Sequence, residues 1–168
     1  MRIALALALV ALWGAAPAPV VTQPPDGSTV DGIPCQASEG QVEHVHAHLT
    51  ILIDGRAVLI PNDVGRPAVT PCIYWLHTHT SNGIIHIESP VRRPFTLGEF
   101  FAVWGKPLTA SDVAGHRLQP GEQVRAFLDG KRWHGDAAAI GLAEHTDIVI
   151  EVGPPFPKPV PFTAWNGL

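Results

Sequence analysis

Two short stretches of the chain concentrate side chains that can bind a metal ion. Residues 77–88 read HTHTSNGIIHIE and residues 44–48 read HVHAH. Six of the nine histidines fall between positions 44 and 86. Imidazole nitrogen with carboxylate oxygen suits zinc, copper(II), iron, nickel or manganese. Three imidazoles can converge on one ion with bonds of about 2.0–2.1 Å and leave a coordination position open for water or substrate.

The spacing says which of these side chains can meet. In an antiparallel pair, directly opposed residues have a constant index sum. A two-residue Asn82-Gly83 loop opposes His79 to His86 and His77 to Glu88. A four-residue loop over 80–83 opposes His77 to His86. Either register places His77, His79, His86 and Glu88 on one face of one hairpin, with opposed Cβ atoms about 4.5–5.5 Å apart. His77, His79 and His86 are therefore the leading candidate ligands. Glu88 is a candidate ligand, an orienting partner for His77, or a catalytic general base. In HVHAH the alternation puts His44, His46 and His48 together on one face. That strand is expected to lend His46 or His48 to the coordination sphere of His77 and His79, or to build a second site. His116, His134 and His145 stand alone and read as surface or core histidines, although His145 lies close enough to the last strand to approach the site.

Two histidines at i and i+2 on one strand, with a third from its neighbour, resemble the ligand layout of α-type carbonic anhydrases, cupins and copper-zinc superoxide dismutases. The resemblance is confined to residues 77–88 and departs from the cupin pattern, in which the glutamate follows the paired histidines on the same strand. It carries no activity and no residue role to this chain.

Strands must position these groups, and the sequence supplies them. EHVHAHLTILIDGRAVLIP alternates apolar and polar residues, with Val45, Ala47, Leu49, Ile51 and Ile53 on the core side and Asp54-Gly55 as a turn. CIYWLHTHTSNGIIHIES reads as a second hairpin, where Tyr74, Trp75 and Ile84 could wall a pocket. EQVRAFLDGKRWHG reads as a third around Asp129-Gly130, and TDIVIEV as a last strand. Thr96 and Glu99 fit a capping box opening a helix whose Leu97, Phe100, Phe101 and Trp104 face the core, ended by Gly105 and Pro107. TASDVAG suggests one more helical turn. The segment LIDGR at 52–56 is echoed by FLDGK at 127–131. Together these predict a β-rich α+β fold: an antiparallel sandwich or open barrel built from hairpins, with one or two short helices.

The ends have their own character. Residues 1–18 read as an export signal, with Arg2 ahead of an apolar run too short for a comfortable membrane span; a retained membrane anchor is the alternative. Residues 19–35 read as an extended arm, 36–153 as the histidine-rich β domain and 154–168 as a Pro-rich tail that Phe156, Phe162 and Trp165 could pin down. In an exported chain the two cysteines, Cys35 and Cys72, are expected to pair in a disulfide.

The net charge of −4 and the lack of a basic cluster argue against a nucleic-acid partner. No GxSxG, phosphate loop or dinucleotide fingerprint occurs. The sole methionine is Met1, which disfavours a Met-rich copper(I) carrier. The expected function is an exported metal-binding protein for zinc or copper(II), acting in storage, delivery or sensing. The alternatives are a metalloenzyme with a three-histidine open site and a small-molecule substrate, and a metal-free, pH-sensitive interaction module. The sequence names no protein partner.

Overall fold

The computed structural model describes residues 27–168, so the expected export signal and the first part of the arm lie outside the described residues. Seven strands form the main sheet: β1 (Glu43–Ile53), β2 (Arg56–Ala57), β3 (Leu76–His77), β4 (Ile84–Ser89), β5 (Gln123–Leu128), β6 (Lys131–Trp133) and β7 (Thr146–Gly153). Their order is β6-β5-β7-β1-β4-β3, with β2 paired to the end of β1. Three two-stranded pairs lie outside this sheet: Cys35–Gln36 with Ile73–Tyr74, Phe95–Thr96 with Gly141–Leu142, and Asp112–Val113 with His116–Arg117. None of the sheets closes into a barrel.

The β-rich α+β expectation holds, but the wholly antiparallel one does not. β7 runs parallel to β1, with Thr146 beside Ala47 and Val152 beside Ile53. The Asp54-Gly55 turn forms with positive φ at both residues, as its composition demands. Its return strand, however, is only the two residues of β2. The long flank of β1 is left for β7, which reaches it only after the chain has crossed the domain. Asp129-Gly130 makes the same turn between β5 and β6, so the echoed segments are equivalent hairpin tips on strands flanking β7.

Alternation along β1 sorts its side chains as predicted. Ala47, Leu49 and Ile51 are buried in the core with Leu76, Ile85, Ile87, Ile148, Ile150 and Val152 from the neighbouring strands. Helix α1 (Leu97–Trp104) supplies Leu97, Phe100, Phe101 and Trp104 to the same core. Each such side chain contributes about 1.5–3 kcal/mol on burial. The helix has the expected capping box between Thr96 and Glu99, and Gly105 ends it in the left-handed conformation.

The second helical turn expected at TASDVAG does not form. The Thr109 hydroxyl accepts from the backbone N–H groups of Ser111 and Asp112, and Ala114 and Gly115 turn the chain with positive φ. These side-chain bonds give the backbone an alternative to the helix. A 3₁₀ turn at Ala137–Ala139 appears instead, capped by Asp136. The disulfide Cys35–Cys72 is present and ties the 27–36 segment to the loop before β3. Ile33 in that segment is fully buried.

Candidate metal centre

The histidines occupy the face of the sheet opposite the core, where β3, β4 and β1 lie side by side. The register opposes His77 to His86 on β3 and β4, and His86 to His46 on β4 and β1. Two residue pairs further along, His44 faces Glu88. The tip of the β3–β4 hairpin therefore follows the four-residue loop, not the two-residue one. The Asn82 side chain accepts from Ile84 N–H to shape the turn. Gly83 has φ of 84°, and its backbone lies so close to β1 that a Cβ would sit 2.5 Å from the Leu49 carbonyl oxygen. Only glycine lets the hairpin tip join β1 there.

His77 is the most constrained member. It is fully buried, and its Nδ1 lies 2.9 Å from the Tyr74 carbonyl oxygen. A carbonyl only accepts, so Nδ1 carries the proton and Nε2 keeps its lone pair toward the neighbouring histidines. This is the arrangement that orients metal-binding imidazoles. His77 Nε2 lies 3.1 Å from His79 Nε2 and 4.0 Å from Glu88 Oε2. Likewise His86 Nδ1 donates to Glu88 Oε1 at 3.1 Å. His79 lies just past the end of β3, with its ring centroid 4.4 Å from that of His86.

Candidate ligand atoms of His77, His79, His86 and Glu88 all lie within 4.8 Å of one another, as do those of His44, His46 and Glu88. These buried or half-buried groups could each hold a metal ion, and Glu88 belongs to both. The structure separates His48 from them. Its Nδ1 donates to Asp147 Oδ1 at 3.0 Å and its ring stacks on Phe162 with centroids 3.7 Å apart. Of the two strand-β1 histidines expected to approach His77 and His79, His46 lies next to His86, at 4.6 Å between ring centroids, and His48 does not join either group.

His116, His134 and His145 also stand outside both groups. His116 pairs with Glu122, and His145 packs on Trp165 while its Nε2 donates to the Leu168 carbonyl. Trp75 and Tyr74 do not wall the site. Trp75 meets Phe95 edge-on and donates to the Gln36 side chain, and the Tyr74 hydroxyl donates to the Ser28 carbonyl.

One side chain beside the candidate site was not singled out from the sequence. Glu39 reaches the mouth of the site, its Oε1 3.5 Å from His79 Nε2 and 3.8 Å from His77 Nε2. It is placed there by a loop bonded to the end of β4, where Gly40 N–H donates to the Glu88 carbonyl and Val42 N–H to that of Ser89. Its only signal in the sequence is proximity to HVHAH. Arg66 stands on the same side, 3.4 Å from His79 Nδ1.

The electrostatics favour neutral imidazoles around a carboxylate. Burial pushes His77 down to about 4, outweighing the opposing pull of Glu88. Burial also lowers His79 and His46. Burial alone would raise Glu88, but the hydrogen bond from His86 and the surrounding histidines hold it down at about 2. Burial and the neighbouring Glu88 charge raise Glu39 above the ordinary carboxylate value. At neutral pH the site thus presents lone pairs and a negative charge, the state a metal ion requires. No family model, no curated protein and no solved structure matches this chain, so the reading of its function rests on this geometry.

Proposed function

We propose that the chain is an exported metal-binding protein whose principal ion, zinc or copper(II), sits among His77, His79 and His86 with Glu88 beside it. The observation that carries the reading is His77: an imidazole without solvent exposure, its Nδ1 engaged by the Tyr74 carbonyl and its Nε2 left among other ligand atoms. With the cysteines joined, no thiolate is available, and imidazole with carboxylate leaves zinc and copper(II) as the best-suited ions. Export to a secreted or periplasmic location is supported by the apolar N-terminal run and by the disulfide. No helix among the described residues is long and apolar enough to cross a membrane. The histidines in excess of one coordination sphere favour storage, delivery or sensing of the ion.

A metalloenzyme is the second reading, favoured by the open side of the site. His79 and Glu39 are each about a third exposed there, and a carboxyl with a raised pKa is suited to moving protons.

Metal analysis of the protein recovered after export tests the shared premise. Zinc or copper should co-purify and be lost in a His77→Ala/His79→Ala variant. Unchanged metal content in that variant overturns the assignment, and metal-free wild type that takes up none on titration leaves the pH-sensitive module in its place. Azide added to the copper(II) form separates the other two: a shifted absorption band marks an open position and favours the enzyme.

A further inference from the structure

We propose that the centre is dinuclear: a second divalent d-block cation binds His44 and His46, and Glu88 bridges it to the first. This deepens the function proposed above and rests on it. Glu88 Oε2 lies 4.0 Å from His77 Nε2, while Oε1, which accepts from His86 Nδ1 at 3.1 Å, also lies 3.4 Å from His44 Nε2. A carboxylate so placed can give one oxygen to each of two ions, the geometry that holds paired metals about 3.5–4 Å apart.

His46 points independently to a ligand. It is 5% exposed, and its Nε2 has no hydrogen-bond partner among the described residues. Leaving such an atom unsatisfied costs about 1–3 kcal/mol, a cost that a bound cation removes. Its ring meets those of His44 and His86 edge-on, with centroids 5.1 and 4.6 Å away. The sheet register fixes the arrangement, since His44 is paired with Glu88 and His46 with His86 across β1 and β4. His44 is half exposed and gives the second ion a route from solvent. The added charge is met by Glu88 and by Glu144, whose Oε2 accepts from His46 N–H at 3.2 Å.

The test is titration of the metal-free full chain with copper(II) chloride, read by bound metal and by electron paramagnetic resonance. Wild type should bind close to two equivalents, with the doubly loaded form losing most of its signal intensity through coupling across Glu88. His44→Gln, an exposed position, and His44→Gln/His46→Gln should bind one equivalent with the full intensity of an isolated copper(II). Glu88→Gln should lose the coupling. Uptake of only one equivalent by wild type overturns the second site while leaving the first. Two equivalents with two independent signals overturn the bridge. No uptake at all overturns the metal-binding function itself. Circular dichroism of each variant confirms that a lost equivalent is not a lost fold.

Discussion

His77 has one nitrogen committed to the backbone and one left over, and burial keeps that second nitrogen unprotonated. The consequence for stability has a definite sign. A histidine held at about 4 in the folded chain and near 6.5 when unfolded takes up protons preferentially in the unfolded state between those values. The metal-free protein should therefore lose stability as pH falls from about 6.5 to 4. Glu88, held at about 2 against an ordinary 4.5, adds stability that is present above 4.5 and lost as pH falls toward 2. Calorimetry across pH 7 to 2 should show Tm dropping through both windows, with added zinc raising Tm at pH 7 and not at pH 4. A Tm that is flat from pH 6.5 to 4 contradicts the burial of a neutral His77. Much of this was legible from residues alone. Counting across Asn82-Gly83 forces His77, His79, His86 and Glu88 onto one face in either register. Glu39 was not legible, because its place depends on Gly40 and Val42 bonding to residues far away in sequence. Nor was the separate fate of His48, since alternation says which face a residue takes but not what covers that face.

What covers it is the C-terminal tail. Phe162 stacks on His48 and its N–H donates to Asp147, while Arg125 sits 3.5 Å over the Phe156 ring. The burial of His48 is thus explained without an ion. Phe162→Ala should cost about 1–2 kcal/mol in denaturant melts, from lost apolar area and a lost ring contact. Metal stoichiometry should not change; a lost equivalent would place His48 among the ligands. At the hairpin tip, Gly83→Ala forces a Cβ against the Leu49 carbonyl at a left-handed position. That should cost about 1–3 kcal/mol and weaken metal binding, because β4 carries His86 and Glu88 on strain-sensitive ground. Equal metal affinity in this variant would mean the tip does not position the site. Element types were readable from alternation, turn pairs and the capping box. The Thr109–Gly115 segment misled because Thr, Ser and Asp suit a helix start and a tight turn equally well.

At the scale of the whole molecule, the disulfide closes a loop of 37 residues that contains β1 and ends just before β3. By chain entropy this stabilises the fold by about 4 kcal/mol. The joined segment also pairs Cys35–Gln36 with Ile73–Tyr74, next to the carbonyl that orients His77. Reduction should lower both stability and metal affinity, measured by unfolding and by competition with a chelating dye. An unchanged affinity after reduction would separate the site from this brace. The parallel pairing of β7 with β1 could not be read from sequence, because period-two patterning gives each strand a face and not a neighbour.

That pairing also dictates an order of events. Among the described residues β5 and β6 join β1, β4 and β3 in the sheet through β7, which follows all of them in sequence. Until residue 146 and its successors arrive, the earlier segments can collapse locally but lack the beam that unites them, and such distant pairings form slowly. The candidate metal site is also braced from just before this strand, where His145 N–H donates to the His46 carbonyl. On the export and metal binding proposed above, this order of assembly would place uptake of the ion after folding at the destination and not before it.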